Sequence, residues 1–208
     1  MNWSYRVTSR MLETAPSPII FDQTVLNSFA FVQAFDIIRR LYSGKAFICN
    51  AACKETQQRI DSSQRYQPLL ERLRLEAIHR ALAEGWLQVV SDEVNPSDEI
   101  TELQLAYEYS QSFCVRQAES MAIAHTRNWV FASDHPLIRN FARARKIRLT
   151  GTLGILVKAA RVSILSASEA DSIHACMVSQ GYRSPLSPVN GVSSFLNHQL
   201  KFNTVFHD

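Results

Sequence analysis

No stretch of this chain approaches the roughly eighteen consecutive apolar residues that a membrane-spanning helix needs. The opening segment, MNWSYRVTSRML, lacks the apolar core of a secretory signal. A membrane partner is therefore not expected. Cysteine is sparse: Cys49, Cys53, Cys114 and Cys176 make no disulfide-like pattern, and the Cys49/Cys53 pair has no second pair to complete a zinc site. Reduced thiols in a cytoplasmic protein are the expectation. Phosphate-binding signatures are missing too. No Gly-x-Gly-x-x-Gly follows the first strand-like run, which argues against a nucleotide-binding Rossmann-type protein, and no Gly-Lys-Ser/Thr follows the one glycine-rich turn. No internal repeat and no low-complexity segment is present.

Negative charge is absent over one long segment. From His135 to Ser168 there is no Asp or Glu, while Arg139, Arg143, Arg145, Lys146, Arg148, Lys158 and Arg161 all fall inside it. The net charge of +3 says little by itself. Its concentration suits either a polyanionic partner or a solvated helix face.

What is present is an alternation of short apolar runs with helical patterns. Strands are expected at Pro18–Phe21, Lys45–Cys49, Trp86–Val90, Trp129–Ala132 and Ile147–Leu149. One helical pattern runs from Val25 to Leu41 and breaks at Ser43-Gly44. Others cover Ala51–Ser62, Pro68–Glu84, Asp98–Ser110, Val115–Arg127 and Ala167–Gln180. In the Pro68–Glu84 helix the expected apolar stripe is Leu70, Leu73, Ala77 and Ala81, widened by Leu69 and Ile78. In Val115–Arg127 it is Val115, Ala118, Met121, Ala122 and His125, with His125 a satisfied core residue. Leu137, Ile138, Phe141 and Ala142 recur at helical spacing behind Pro136, which suits a helix's first turn. Thr150 to Gly154 opens a further helix. Its amides suit a phosphate, or its glycines suit close packing. Strands alternating with helices imply an α/β fold, a parallel sheet covered on both faces. The length suits one domain: residues 18–184, with an extension at 1–17 and a tail at 185–208.

In such sheets ligands gather beyond the carboxyl ends of the strands. Asp22 and Asp134 both end or closely follow an apolar strand, and Glu55 follows the second strand. Each aspartate also suits a helix N-cap, and Glu119 alone suits a solvated helix position. Carboxylates gathered in one cleft repel and need cations. An all-oxygen set fits Mg²⁺ or Mn²⁺.

These segments resemble the PIN-domain family of metal-dependent ribonucleases, and within it a prokaryotic subgroup ending in a Gly-Thr-Leu-Gly helix. The matching pieces are IIFDQTVLNSFA (19–30), FICNAACKE (47–55), AESMAIA (118–124), VFASDHPLIRNFA (130–142), IRLTGTLGILVKAA (147–160) and SQGYRS (179–184). The resemblance implies a three-layer sandwich with a five-stranded parallel sheet between helices. It implies acids at one sheet edge: Asp22, Glu55 and Asp134 by position, with Glu119 matching a second acid of the subgroup. Asp22, Asp134 and Glu119 are then the expected metal ligands. Three departures stand out. Gln117 occupies a position where the family carries an acid, Ser133 stands where the subgroup tends to have a first aspartate, and Asn50 replaces a common proline.

The expected activity is Mg²⁺- or Mn²⁺-dependent cleavage of single-stranded or structured RNA, with Arg139, Arg143 and Lys146 on the backbone. A toxin held by a small antitoxin, and a homodimer, are arrangements that the resemblance also leaves open. The rival is a catalytically weakened scaffold that binds RNA or protein.

Overall fold

The structure, a computed structural model, describes residues 17–62, 68–91, 96–186, 191–194 and 196. The expected extension at 1–17 lies almost entirely outside those residues, as does most of the 185–208 tail.

Five short strands form one all-parallel sheet: β1 (Ile19–Phe21), β2 (Ala46–Ile48), β3 (Leu87–Val89), β4 (Val130–Ala132) and β5 (Leu149–Thr150), in spatial order β3-β2-β1-β4-β5. β1 is central. Ile19, Ile20 and Phe21 have no exposed surface at all, as befits a strand covered on both sides. Side chains alternate along a strand. Ile19 and Phe21 accordingly enter one core, Ile20 the other.

The first core is closed by α1 (Gln23–Phe31), α2 (Phe35–Tyr42), α4 (Leu69–Ala83), α8 (Thr152–Arg161) and α9 (Ala167–Ser179). The second is closed by α5 (Pro96–Ser110), α6 (Val115–Thr126) and α7 (Pro136–Ala144). Between them, α3 (Asn50–Ser62) runs out from the end of β2. The layers are helix, sheet, helix, as the resemblance implies. Val192 is fully buried in the first core. Asp171 of α9 holds that segment by accepting from the Ser193 amide at 2.9 Å and hydroxyl at 2.5 Å.

Several details differ from the sequence-based expectation. The pattern from Val25 to Leu41 is two helices. Gln33 takes a positive φ of 54°, and the Ala34 amide turns back to the Phe29 carbonyl at 2.9 Å. This is a Schellman closure, with the adjacent Gln33 amide on Ala30. The last strand lies at Leu149–Thr150 because α7 closes the same way: Lys146 takes φ 59° and Ile147 donates to Ala142. Ile147 is spent packing into the core rather than pairing.

On α4 the buried residues among the described side chains are Leu75, Ile78 and Ala81, whereas Leu69 and Leu73 are exposed, and Leu70 lies outside the described side chains. Leu73 pointed to a face one residue off the true one. Leu137 and Val115 are likewise exposed. His125 is an exposed residue rather than a core one, with its Nδ1 bonded to the Tyr109 hydroxyl at 2.8 Å. Among the described residues no helix is long and apolar enough to cross a membrane.

Candidate active site at the carboxyl edge of the sheet

The site is built by strand register. β1 and β4 pair with Phe21 opposite Ala132, and the Asp22 amide donates to the Ala132 carbonyl at 2.8 Å. The next residues on each strand, Asp22 and Ser133, therefore share the following rung. Asp22 is only 4% exposed. It begins α1 without capping it through its side chain. Instead its Oδ2 accepts from the Ser133 hydroxyl and the Thr24 hydroxyl, each at 2.9 Å. Thr24 Oγ1 in turn accepts from the Asp134 amide at 3.2 Å, and Ser133 Oγ from the His135 amide at 3.3 Å. Two hydroxyls thus knit the β1–α1 turn to the β4–α7 turn.

Asp134 is a helix cap, but for α8 rather than for the helix that follows it. Its Oδ1 accepts from the Thr152 amide at 2.9 Å and its Oδ2 from the Thr152 hydroxyl at 2.5 Å. The anion at that helix start is supplied by the chain itself, so the glycine turn is a packing device and not an open phosphate cradle. A Cβ on Gly151 would lie 2.5 Å from Asp134 Oδ1. Burial raises the Asp134 pKa above the ordinary carboxylate value. The Thr152 bonds and the Arg139 charge oppose that rise, and nearby Asp22 adds to it.

Glu119 reaches the same edge from α6. Its Oε1 accepts from the Asn50 amide at 2.9 Å and its Oε2 from the Ala51 amide at 3.2 Å. It thereby answers the exposed amides at the start of α3, whose own sequence offers Cys49 in place of a capping oxygen. The Cys49 thiol donates to the Arg116 carbonyl at 3.3 Å, and burial, aided by Glu119, pushes its pKa up to about 11. Glu55, further along α3, forms an ion pair with Arg116 of α6 and a looser one with Arg59 at 3.6 Å. Gln117 is half-buried on α6.

The basic residues divide. Arg139 is pinned inward, its Nη1 donating to the Ser133 carbonyl at 2.7 Å and the Thr150 carbonyl at 2.5 Å. Arg143 is exposed and lines a cleft of about 620 Å³ with Asp134, Arg161 and Arg183. Lys146 sits at the other end of α7, away from the lining of that cleft. A smaller cavity of about 240 Å³, lined by Thr24, Asn27, His135 and others, shares Asp134, Tyr182 and Arg183 with that cleft. Thr24, Thr152, Arg116 and Tyr182 are the residues that sequence reasoning did not single out. The signal available for Thr24 and Thr152 was their place two or three residues past a strand end.

The donor chemistry bears on a metal. Among the described residues no three His, Cys, Asp or Glu groups are arranged to hold an ion. No hydrogen bond reaches Asp22 Oδ1 from a described residue, and Asp22 and Asp134 are near enough for each charge to affect the other. Mg²⁺ commonly keeps several waters and is held through one or two carboxylates. The pair Asp22 and Asp134 fits that mode. A four-carboxylate cage does not fit, since Glu119 and Glu55 are engaged with amides and guanidiniums.

The fold is an all-parallel α/β sandwich with Asp22, Asp134 and Glu119 at the carboxyl edge of the sheet. The chain belongs to the PIN-domain family: a family profile described as a PIN domain matches residues 18–192. PIN domains are generally nucleases. Among the curated proteins no relative matches the chain.

Proposed function

We propose that this protein is a Mg²⁺- or Mn²⁺-dependent endoribonuclease hydrolysing RNA phosphodiester bonds. The observation that carries the reading is the β1–β4 register, which sets Asp22 and Ser133-Asp134 side by side beyond the sheet. Asp22 and Asp134 are the assigned ligands. Ser133, Thr24 and Thr152 hold their oxygens in place, so little reorganisation accompanies binding. A bound divalent ion supplies an activated water and offsets charge on the leaving oxygen. Arg143, Arg161 and Arg183 line the adjoining cleft, where RNA phosphates would lie. Cleavage of single-stranded RNA with Mg²⁺ or Mn²⁺ is the test. Asp22→Asn and Asp134→Asn are expected to abolish it; undiminished activity in either refutes that residue's role. A toxin-like pairing with a small antitoxin is a further proposal that rests on the family resemblance alone.

A second reading is favoured by the internal partners of all four carboxylates and by Gln117: a weakened scaffold that binds RNA or protein without cleaving. It predicts salt-sensitive RNA binding indifferent to chelator. Calorimetric Mn²⁺ titration separates the two.

A further inference from the structure

Arg116 sits in the first turn of α6, the turn that is fastened to the β2–α3 junction. Its carbonyl accepts from Cys49 at 3.3 Å, and one turn later Glu119 holds the α3 amides. This fixes where the Arg116 side chain can go. It pairs with Glu55, both side chains being half-buried at 28% and 31% exposed. The guanidinium fork is incompletely used: its Nε–H is buried with no acceptor among the described residues. An unmet buried N–H is costly, and Arg74 Nε is left in the same state. Burial works against the Arg116 charge, but the Glu55 bond and the nearby charges of Cys114, Glu55 and Asp22 outweigh it and hold its pKa above the ordinary value.

We propose that Arg116 is the resident counter-ion at the β2–α3 end of the acidic sheet edge and weakens divalent-cation binding there by holding Glu55. The inference rests on the metal-dependent reading above. A guanidinium paired with Glu55 repels an arriving dication and keeps that carboxylate turned to itself. Removing its charge leaves Glu55 to the looser Arg59 contact at 3.6 Å and deepens the negative potential there. At these partly buried positions the effect is roughly tenfold in affinity.

Mn²⁺ titration calorimetry on the full chain at fixed pH and salt tests it, with Arg116→Gln, Arg116→Met and Arg116→Lys. The two neutral variants are expected to bind roughly tenfold tighter than wild type, and the lysine variant about as wild type does. The wild type offers a measurement free of substitution: the ¹⁵N resonance of the Arg116 Nε–H is expected to shift as Mg²⁺ is added. Equal Mn²⁺ affinity in all four proteins, tight binding by the lysine variant, or an Nε–H signal unmoved at saturating Mg²⁺ would overturn the counter-ion role while leaving the metal site standing. Absence of Mn²⁺ binding from every one of the four would remove the metal site itself, and this inference with it.

Discussion

The Ser133 hydroxyl donates to Asp22 Oδ2 at 2.9 Å, on the first rung beyond the β1–β4 pairing. Ser133 has no exposed surface. Ser133→Ala leaves that oxygen with Thr24 alone. Hydrogen bonds to charged groups contribute about 1.5–3 kcal/mol, and a loss of that size is expected in urea unfolding at neutral pH. Ser133→Asp restores the acid that the PIN subgroup tends to carry. Two carboxylates on one buried rung repel, so this variant is expected to be less stable than wild type in chelator and to recover with Mn²⁺. A variant indifferent to Mn²⁺ counts against a cation at this rung.

Glu119 replaces a missing cap on α3 from another helix. Glu119→Ala is expected to cost at least about 1 kcal/mol, as loss of an N-cap does. Hydrogen exchange is expected to quicken at the Asn50 and Ala51 amides, with β1 unaffected. Unchanged exchange there would show that the two bonds do not hold the helix start.

Asp134 makes stability depend on pH. Its folded pKa lies above the ordinary 3.8, chiefly through burial. The native state therefore holds this proton more tightly than the unfolded chain does. The contribution is whole below 3.8 and is lost as pH rises through the elevated folded value. Asp134→Asn is expected to flatten that acid-side slope in denaturation midpoints measured across it. In the cleavage assay the same variant is expected to be inactive, so a functional loss without a stability loss distinguishes ligand from scaffold.

On α4, neighbouring leucines separate core from surface. Leu75 is 2% exposed and Leu73 47%. Leu75→Ala is expected to destabilise by about 2–5 kcal/mol and Leu73→Ala by less than about 0.5 kcal/mol. Comparable losses would place α4 in a different rotation about its axis.

Four helices end on left-handed residues other than glycine: Gln33, Asn128, Lys146 and Ser163. The conformation costs an L-residue roughly 1 kcal/mol that glycine avoids. Gln33→Gly is expected to hold or raise the melting temperature, whereas Gln33→Val, β-branched, lowers it.

Two of these residues, Gln33 and Lys146, mark where the chain is hardest to read. Gly44, Gly85 and Gly181 announce their helix ends, and each takes positive φ. Gln33 announces nothing, so α1 and α2 read as one helix; Lys146 announces nothing, so the last strand was placed at Ile147. The strands were legible because Ile19–Phe21 and Val130–Ala132 are apolar runs bounded by turn residues. The edge position of Asp22 and Asp134 followed from that. What the edge residues do was not legible. That Asp134 caps α8, that Glu119 caps α3, and that Arg116 meets Glu55 each depends on two segments distant in the chain, and no local pattern encodes such a meeting.

The grip of Thr152 on both Asp134 oxygens has one more consequence. A carboxylate fastened at two points cannot follow a larger guest outward. For the ion proposed here, radius then becomes a criterion for entry: compact Mg²⁺ or Mn²⁺ is expected to reach the oxygen where it stands, whereas Ca²⁺, with longer bonds and more ligands to gather, is expected to bind more weakly.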